Sequence, residues 1–468
     1  MRMSKSMSER MDEHVAEHTA ERTDERTQRV SLSEVNQSIS VPQTDSFWRN
    51  FFAFLGPGAL VAVGYMDPGN WITSVVGGAT YKYALLSVIL LSSLVAMQLQ
   101  HMSGKLGMVT RQDLAQHTAR RAPKWARWIL FVIIELALIA TDFAEVLGSA
   151  IALHLLFGIP LLVCIIITVL DVVVLLGLMH LGFRKIEAIV ALLILTIVLI
   201  FGYLVLLARP DMGSLLWGYV PSADKVSGLS ATDARTMLAL ALGIIGATVM
   251  PHNLYLHSSI VQTRRVDVTD ESSLERGVRF MTWDSNVQLS IAFVVNSLLL
   301  VVGAAIFYGH SSDVTAFKDM YNALADPSIA GVIASKLLAT LFAVALLASG
   351  QNSTITGTLT GQIVLEGFLH VSVPQWMIRL GTRVITLVPV VIIALLSHGH
   401  EQTLDDMIVY SQVFLSLALP FSIFPLIYFT SKRSIMGKYA NARWNTVLGY
   451  LVAGVLTVLN VQLIMTVF

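Results

Sequence analysis

Residues 56–78 read GPGALVAVGYMDPGNWITSVVGG, an apolar run interrupted near its middle by Asp67-Pro68-Gly69-Asn70. About 20 apolar residues suffice to cross a bilayer as a helix. Pro68 removes a backbone donor and clashes with the preceding turn, and Gly69 adds conformational freedom, so the helix is expected to unwind at this point. An ionisable Asp at mid-membrane costs a few kcal/mol or more and is by default a functional residue. A second stretch, LALGIIGATVMPHNLYLHSS at 240–259, repeats the pattern with Met250-Pro251-His252-Asn253 at its centre.

The rest of the chain fits a membrane setting. Of 468 residues, 55% are hydrophobic and 13% charged, against about 25% charged in a soluble domain; the mean hydropathy is +0.69. A zero net charge gives no electrostatic case for a nucleic-acid partner. The lone Cys164 rules out an internal disulfide and any multi-cysteine metal site.

Apolar windows fall at 51–79, 84–103, 127–153, 155–178, 188–208, 237–261, 283–307, 331–357, 379–398, 405–430 and 445–467. The expected fold class is therefore an all-α membrane protein with eleven transmembrane helices, a transporter domain over 47–468. The loops and helix ends after even-numbered spans hold eighteen Lys and Arg, from Lys105 and Arg111 to Lys438 and Arg443; those after odd-numbered spans hold six. The positive-inside rule then places the N-terminus in the cytoplasm and the C-terminus outside. Residues 1–46 are polar and carry mixed charge (EHTAERTDERTQR) without an apolar h-region, and are expected to form a disordered cytoplasmic tail. His14-Val-Ala-Glu17-His18 matches a zinc-peptidase pattern, but a polar tail supplies neither third ligand nor cleft, so it reads as a chance match. Short loops and the lack of organellar signals suggest a bacterial plasma membrane.

The two breaks lie five spans apart. Five is odd, so a second five-span unit starts from the opposite side of the membrane. Spans 1–5 (51–208) and 6–10 (237–430) are expected to form a 5+5 inverted repeat with broken helices 1 and 6, and an extra helix at 445–467. Unwound carbonyls in such breaks can coordinate cations at the midplane; those of Gly64 and Ala247, three residues before Asp67 and Met250, are well placed. Asp67 offers a hard carboxylate, Asn70 an amide oxygen and Met250 a soft thioether. Mg²⁺ and Ca²⁺ want oxygen shells, whereas a thioether favours softer first-row metals. A methionine in a membrane helix ordinarily only packs; its place beside Pro251 argues for ligation. Gln412 in span 10 (YSQVFLSLALPF, 410–421) is a further candidate ligand, with interhelical hydrogen bonding as its ordinary role. No resident cofactor, catalytic residue or obligate protein partner is inferred; the partners are metal ions, protons and lipid.

Several ordered motifs, DPGN at 67–70, TDFAEVLG at 141–148, ATVMPHNLYLHS at 247–258 and ASGQNSTITGTLTGQIVLEGF at 348–368, resemble the Nramp divalent-metal transporters over about residues 48–466. The resemblance implies a LeuT-like fold and proton-coupled uptake of Mn²⁺ and Fe²⁺, with Cd²⁺ and Co²⁺ tolerated. It makes Asp67, Asn70 and Met250 side-chain ligands, helped by the backbone of Gly64 and Ala247. The family often has Ala where Gly64 stands, a change a carbonyl ligand survives. Relatives that carry magnesium or aluminium lack the methionine.

Protons have a legible route. Asp67 can take one when metal is absent, His252 titrates near neutral pH, and Asp142 and Glu145 are three residues apart on one helix face. Chains of Asp, Glu and His in membranes are typical proton relays. The resemblance puts the Asp142–Glu145 pair on the way to the cytoplasm, with Arg379 and Arg383 in span 9 as partners; static ion pairing is the plainer role. His257 reads as packing, and Glu135 is left out of the relay. Two other functions compete. A Na⁺-coupled amino-acid symporter of the same fold would want hydroxyl residues and a free helix N-terminus at the site. A membrane metalloenzyme would need stronger ligands and a general base.

Overall fold

The computed structural model describes residues 31, 32, 36–41, 44, 46–168, 170, 171, 177, 182–222, 227, 229–310, 314–369, 375–396 and 401–467. Helices dominate, as they must where no water is present to satisfy backbone donors and acceptors. Among the described residues, seven helical stretches are long and apolar enough to cross a membrane. The first expected span is not among them, because its two halves are only 8 and 14 residues long. A short helix α1 (Phe47–Phe54) is followed by Gly56, whose φ of 149° suits glycine and which leads into α2 (Pro57–Gly64); α3 (Pro68–Tyr81) comes next.

Next come α4 (Leu86–Thr110), α5 (Leu114–Arg121), α6 (Lys124–Phe157), α7 (Leu161–Ile167), α8 (Phe183–Ala208) and α9 (Met212–Gly218). The sixth span is α10 (Ala231–Val249) and α11 (Pro251–Ile260). The remaining helices are α12 (Glu271–Ile306), α13 (Phe317–Ala325), α14 (Pro327–Ala330), α15 (Lys336–Leu369), α16 (Gln375–Leu396), α17 (Glu401–Ser431), α18 (Arg433–Met436) and α19 (Arg443–Val467). Residues 169, 172–176 and 178 of the expected 155–178 span lie outside the described residues.

Two expectations need correcting. The eighth span, expected at 331–357, starts only at Lys336 and runs to Leu369. The apolar residues before it are spent on α14 and a tight turn at Gly331–Ile333, where Gly331 has φ +60°. The free tail does not extend to residue 46. Leu32 is buried and its backbone N–H donates to Glu366 Oε2 at 3.0 Å, while Ile39–Ser40 (β1) pairs in parallel with Arg264–Arg265 (β2) just beyond α11. Gln37 N–H also donates to the Gln262 carbonyl at 2.9 Å. A buried leucine and a short backbone ladder outweigh the segment's polar composition. Residues 1–30, with His14 and His18, lie outside the described residues.

The broken pair sits at the centre of the bundle. Helix α12 packs along α2, α3 and α4; α15 packs along α6; and α17 touches α6, α10 and α3. Small residues allow this closeness. A Cβ at Gly78 would run into the backbone of Leu300 and Ala304, and one at Gly303 into the backbone of Val75, so α3 and α12 meet backbone to backbone. The core around them includes Trp71, Phe201 and Phe342, all fully buried.

Candidate metal site

Both breaks place proline at the first position of the half-helix that follows, Pro68 in α3 and Pro251 in α11. Proline's fixed φ suits that position, and its missing N–H costs nothing there. The preceding halves, α2 and α10, end at Gly64 and Val249. Each helix C-terminus leaves unpaired carbonyls and a partial negative charge of about half an electron, so two ends that favour cations abut the breaks.

In the first break Asp67 caps α3. Its Oδ1 accepts from the Asn70 backbone N–H at 2.9 Å and from Asn70 Nδ2 at 2.7 Å. Asp67 is wholly buried and Asn70 nearly so, and Asp67 Oδ2 and Asn70 Oδ1 have no hydrogen-bond partner among the described residues. Leaving a buried acceptor unmatched costs about 1–3 kcal/mol, more when charged. A bound cation would remove that cost.

The second break is joined to the first through Asn70. Its Nδ2 also donates to the Ala247 carbonyl at 2.9 Å. The carbonyl expected as a ligand thus carries one hydrogen bond already, with its second lone pair left over. Met250 is fully buried at φ 6°, ψ 117° and has no side-chain cap. Its sulfur lies 3.9 Å from Asn253 Nδ2, and its side chain packs in a small apolar cluster with Ala137, Leu415 and Ala418. Gly64 faces the same region: a Cβ there would strike the Asn253 amide. Among the described residues there is no group of three or more His, Cys, Asp or Glu side chains able to hold a metal. Any metal held here depends on mixed amide, carbonyl and thioether donors around one carboxylate.

Gln412 is buried against the first break, since a Cβ at Gly69 would overlap its amide; its Nε2 donates to Ser411 Oγ at 3.2 Å and its Oε1 has no partner among the described residues. Span 10 is therefore positioned to offer a further oxygen.

The polar groups expected to carry protons also lie beside the breaks. His252 Nδ1 is 3.4 Å from Thr141 Oγ1 on α6, next to Asp142. Asp142 and Glu145 turn to the same spot on α15, where a Cβ at Gly357 would lie 3.1 Å from Asp142 Oδ1 and 3.3 Å from Glu145 Oε1. One turn beyond Glu145, Gly148 makes room for the ring of Pro68, which sets the acid pair against the first break. Asp142 Oδ2 accepts from Thr386 at 3.2 Å. Arg383 is buried, but its guanidinium pairs with Asp171 at 3.4 Å and reaches Thr354 Oγ1 at 3.4 Å. The side chain of Arg379 lies outside the described residues. His257, read as packing, is buried and hydrogen-bonds Gln100 Oε1 at 3.0 Å.

Two acids were passed over. Glu135 lines the same small cavity, of about 30 Å³, as Asp142 and Thr386, room for roughly one water. Asp171 was missed altogether, although an acid inside LLVCIIITVLDVVV (161–174) carries the same signal that singled out Asp67.

The comparisons with known proteins identify the family. A family model described as "Natural resistance-associated macrophage protein-like" (Nramp) matches residues 58–466. A divalent metal cation transporter MntH from Levilactobacillus brevis is 56% identical over 435 residues, 93% of this chain and 94% of that protein. One of the same name from Staphylococcus saprophyticus is 51% identical over 439 residues, 94% and 97% of the two chains. A crystal structure of the Eremococcus coleocola manganese transporter, in complex with an aromatic bis-isothiourea compound, superposes with TM-score 0.87 at 49% identity, covering 92% of this chain and 90% of that one. MhsT in complex with L-phenylalanine superposes at TM-score 0.58 with 13% identity over 88% and 98% of the chains, a likeness of fold alone. The chain belongs to the Nramp family.

Proposed function

We propose that the protein is a proton-coupled secondary transporter that imports divalent transition-metal ions, Mn²⁺ and Fe²⁺ foremost and Cd²⁺ and Co²⁺ as tolerated ions, across the plasma membrane. The observation that carries this reading is the joined pair of breaks: one buried carboxylate, one amide bridging to the Ala247 carbonyl, and a buried thioether at the second break. Related proteins named as divalent metal cation and manganese transporters support the same substrate class, and those relatives are transporters rather than enzymes.

The architecture proposed with it has eleven spans, a 5+5 inverted repeat in which α2–α3 and α10–α11 are equivalent broken helices, and a last peripheral helix. The N-terminus lies in the cytoplasm and the C-terminus outside. In the transport cycle metal enters from outside and meets Asp67, Asn70 and Met250, with Gly64, Ala247 and Gln412 adding oxygens. Its charge displaces a proton from Asp67, and the proton leaves by way of His252, Asp142 and Glu145, with Arg383 balancing the acids. The bundle around the broken helices then rearranges to open inward. The single carboxylate disfavours Mg²⁺ and Ca²⁺, which gain little from sulfur.

Reconstitution in liposomes tests the proposal. Mn²⁺ uptake should speed up under an inward proton gradient and collapse in Asp67→Asn. Na⁺-driven uptake of an amino acid, without Mn²⁺ uptake, would support the symporter reading instead.

A further inference from the structure

We propose that the concavity between α17 and α19, on the face the Lys and Arg count assigns to the cytoplasm, binds the phosphate headgroup of an anionic phospholipid. The concavity measures about 1,060 Å³ and is lined by Ser431, Arg433, Lys438, Asn441, Arg443 and Thr446. Three cations thus face one hollow, charged donors suited to phosphate oxygens, while the hydroxyls of Ser431 and Thr446 donate to the carbonyls of Tyr428 and Ala442 and help to frame it. Arg433 and Arg443 have no ion-pair partner among the described residues, whereas Lys438 pairs with Glu271, the one carboxylate found there. That hydrogen bond to Glu271 holds the lysine above its ordinary pKa, so it remains a cation. Net positive charge therefore remains.

The frame of the hollow is fixed independently of any ligand. Asn441 Oδ1 accepts from Lys105 Nζ at 2.7 Å, its Nδ2 donates to Thr430 Oγ1 at 2.8 Å, and its backbone N–H donates to the Thr430 carbonyl at 2.9 Å. The loop joining α17 to α19 is thereby tied to α4 and to the end of α17. A positive-inside bias explains why cations lie on this side. It does not require three of them to converge on one hollow.

The surroundings identify a lipid as the source of the phosphate. Only 28% of the most apolar window of α19 is buried, so the helix presents its flank to the hydrocarbon. Trp444, at 69% exposure, stands at the level of the cations, where interfacial tryptophans sit. Val447 lines the hollow and leads on to exposed Leu451, Phe424 and Tyr450, the last two with ring centroids 6.2 Å apart. That face can receive acyl chains while the headgroup meets the arginines. Basic pockets between membrane helices on the cytoplasmic side are suited to such headgroups. A soluble anion would gain nothing from the apolar face.

The test uses the full chain purified in detergent. Phosphatidylglycerol and phosphatidylcholine are titrated separately onto wild type, Arg433→Gln/Arg443→Gln, and Lys336→Gln as a control on the other side, and retained lipid is counted by native mass spectrometry. Wild type should retain phosphatidylglycerol at least tenfold more strongly than phosphatidylcholine. The double variant should lose that tenfold preference, the control should keep it, and inorganic phosphate should not displace the lipid. Equal retention of both lipids, an unchanged double variant, or an equal loss in Lys336→Gln would overturn the proposal, as would displacement by phosphate, which would mark a free-anion site. Should the double variant fail to fold, Arg443→Gln alone must lower the preference about threefold or the proposal fails. No arm involves metal transport, so the outcome is separate from that of the proposed function.

Discussion

The two helix breaks solve the same problem with different chemistry. The first is capped from within: Asp67 accepts the N–H of Asn70 and so starts the next half-helix with its own side chain. The second has no cap, and Met250 leads into Pro251 with apolar packing and one long contact from Asn253 Nδ2 around its side chain. The first break therefore supplies the charge and its own local stability, while the second supplies softness and relies on its neighbours for shape. Asn70 ties the two together through the Ala247 carbonyl. Under the proposed function, a site assembled in this way separates the affinity for a cation from the choice among cations.

The largest expected effect comes from removing the charge and leaving the cap in place. Asn caps helices about as well as Asp, so Asp67→Asn should fold normally and lose Mn²⁺ uptake by about a hundredfold or more, some 3 kcal/mol at 1.4 kcal/mol per tenfold. Uptake within a factor of two of wild type in liposomes would show that the first break does not supply the charge. Next is Gly148→Ala, which forces a Cβ onto the ring of Pro68; overpacking of this kind costs about 1–3 kcal/mol. A thermal-unfolding scan in detergent should show a clear fall in midpoint, and an unchanged midpoint would mean that α6 does not brace the first break.

Met250→Ala sharpens the contrast. Mn²⁺ uptake should persist at a reduced rate while the preference for Mn²⁺ over Ca²⁺ falls about tenfold, or 1.4 kcal/mol. An intact preference in competition uptake would leave Met250 a packing residue of the cluster with Leu415 and Ala418. Asn70→Ala removes the hydrogen bond that joins the breaks, worth about 0.5–1.5 kcal/mol, and should weaken Mn²⁺ binding by up to about tenfold in calorimetry. The smallest effect is expected from Gly69→Ala, which pushes the Gln412 amide aside. A loss of about two- to threefold in Mn²⁺ affinity, roughly half a kcal/mol, would count Gln412 among the ligands, and no loss would return it to interhelical bonding.

The breaks were legible because proline and glycine act through local backbone geometry, and because a carboxylate in hydrocarbon demands a reason. The spacing of Asp142 and Glu145 likewise survives folding, since residues three apart on a helix share a face. What could not be read were the partners chosen by tertiary packing. Arg383 was expected beside Asp142 and Glu145 and does lie close enough for its charge to act on both, but its ion pair is with Asp171, more than two hundred residues earlier in the chain. Glu135 shares a cavity with Asp142 although they are two helical turns apart, because α15 and α16 close over both. The docking of Leu32 was hidden by composition: Val30, Leu32, Val35, Ile39 and Val41 are too few and too unevenly spaced among polar residues to mark a span, and only the folded chain shows where Leu32 goes. The start of α15 slipped for a related reason, as hydropathy does not distinguish a buried turn from a helix.

The most direct test of the central claim is to locate the ion. Crystals of the protein soaked in Mn²⁺, with data collected at the manganese absorption edge, should give one strong anomalous peak within coordination distance of an Asp67 carboxylate oxygen, the Asn70 amide oxygen and the Met250 sulfur. A peak bonded to Asp67 but remote from Met250, or one lodged away from both breaks, would contradict the claim that the two breaks form a single transition-metal site.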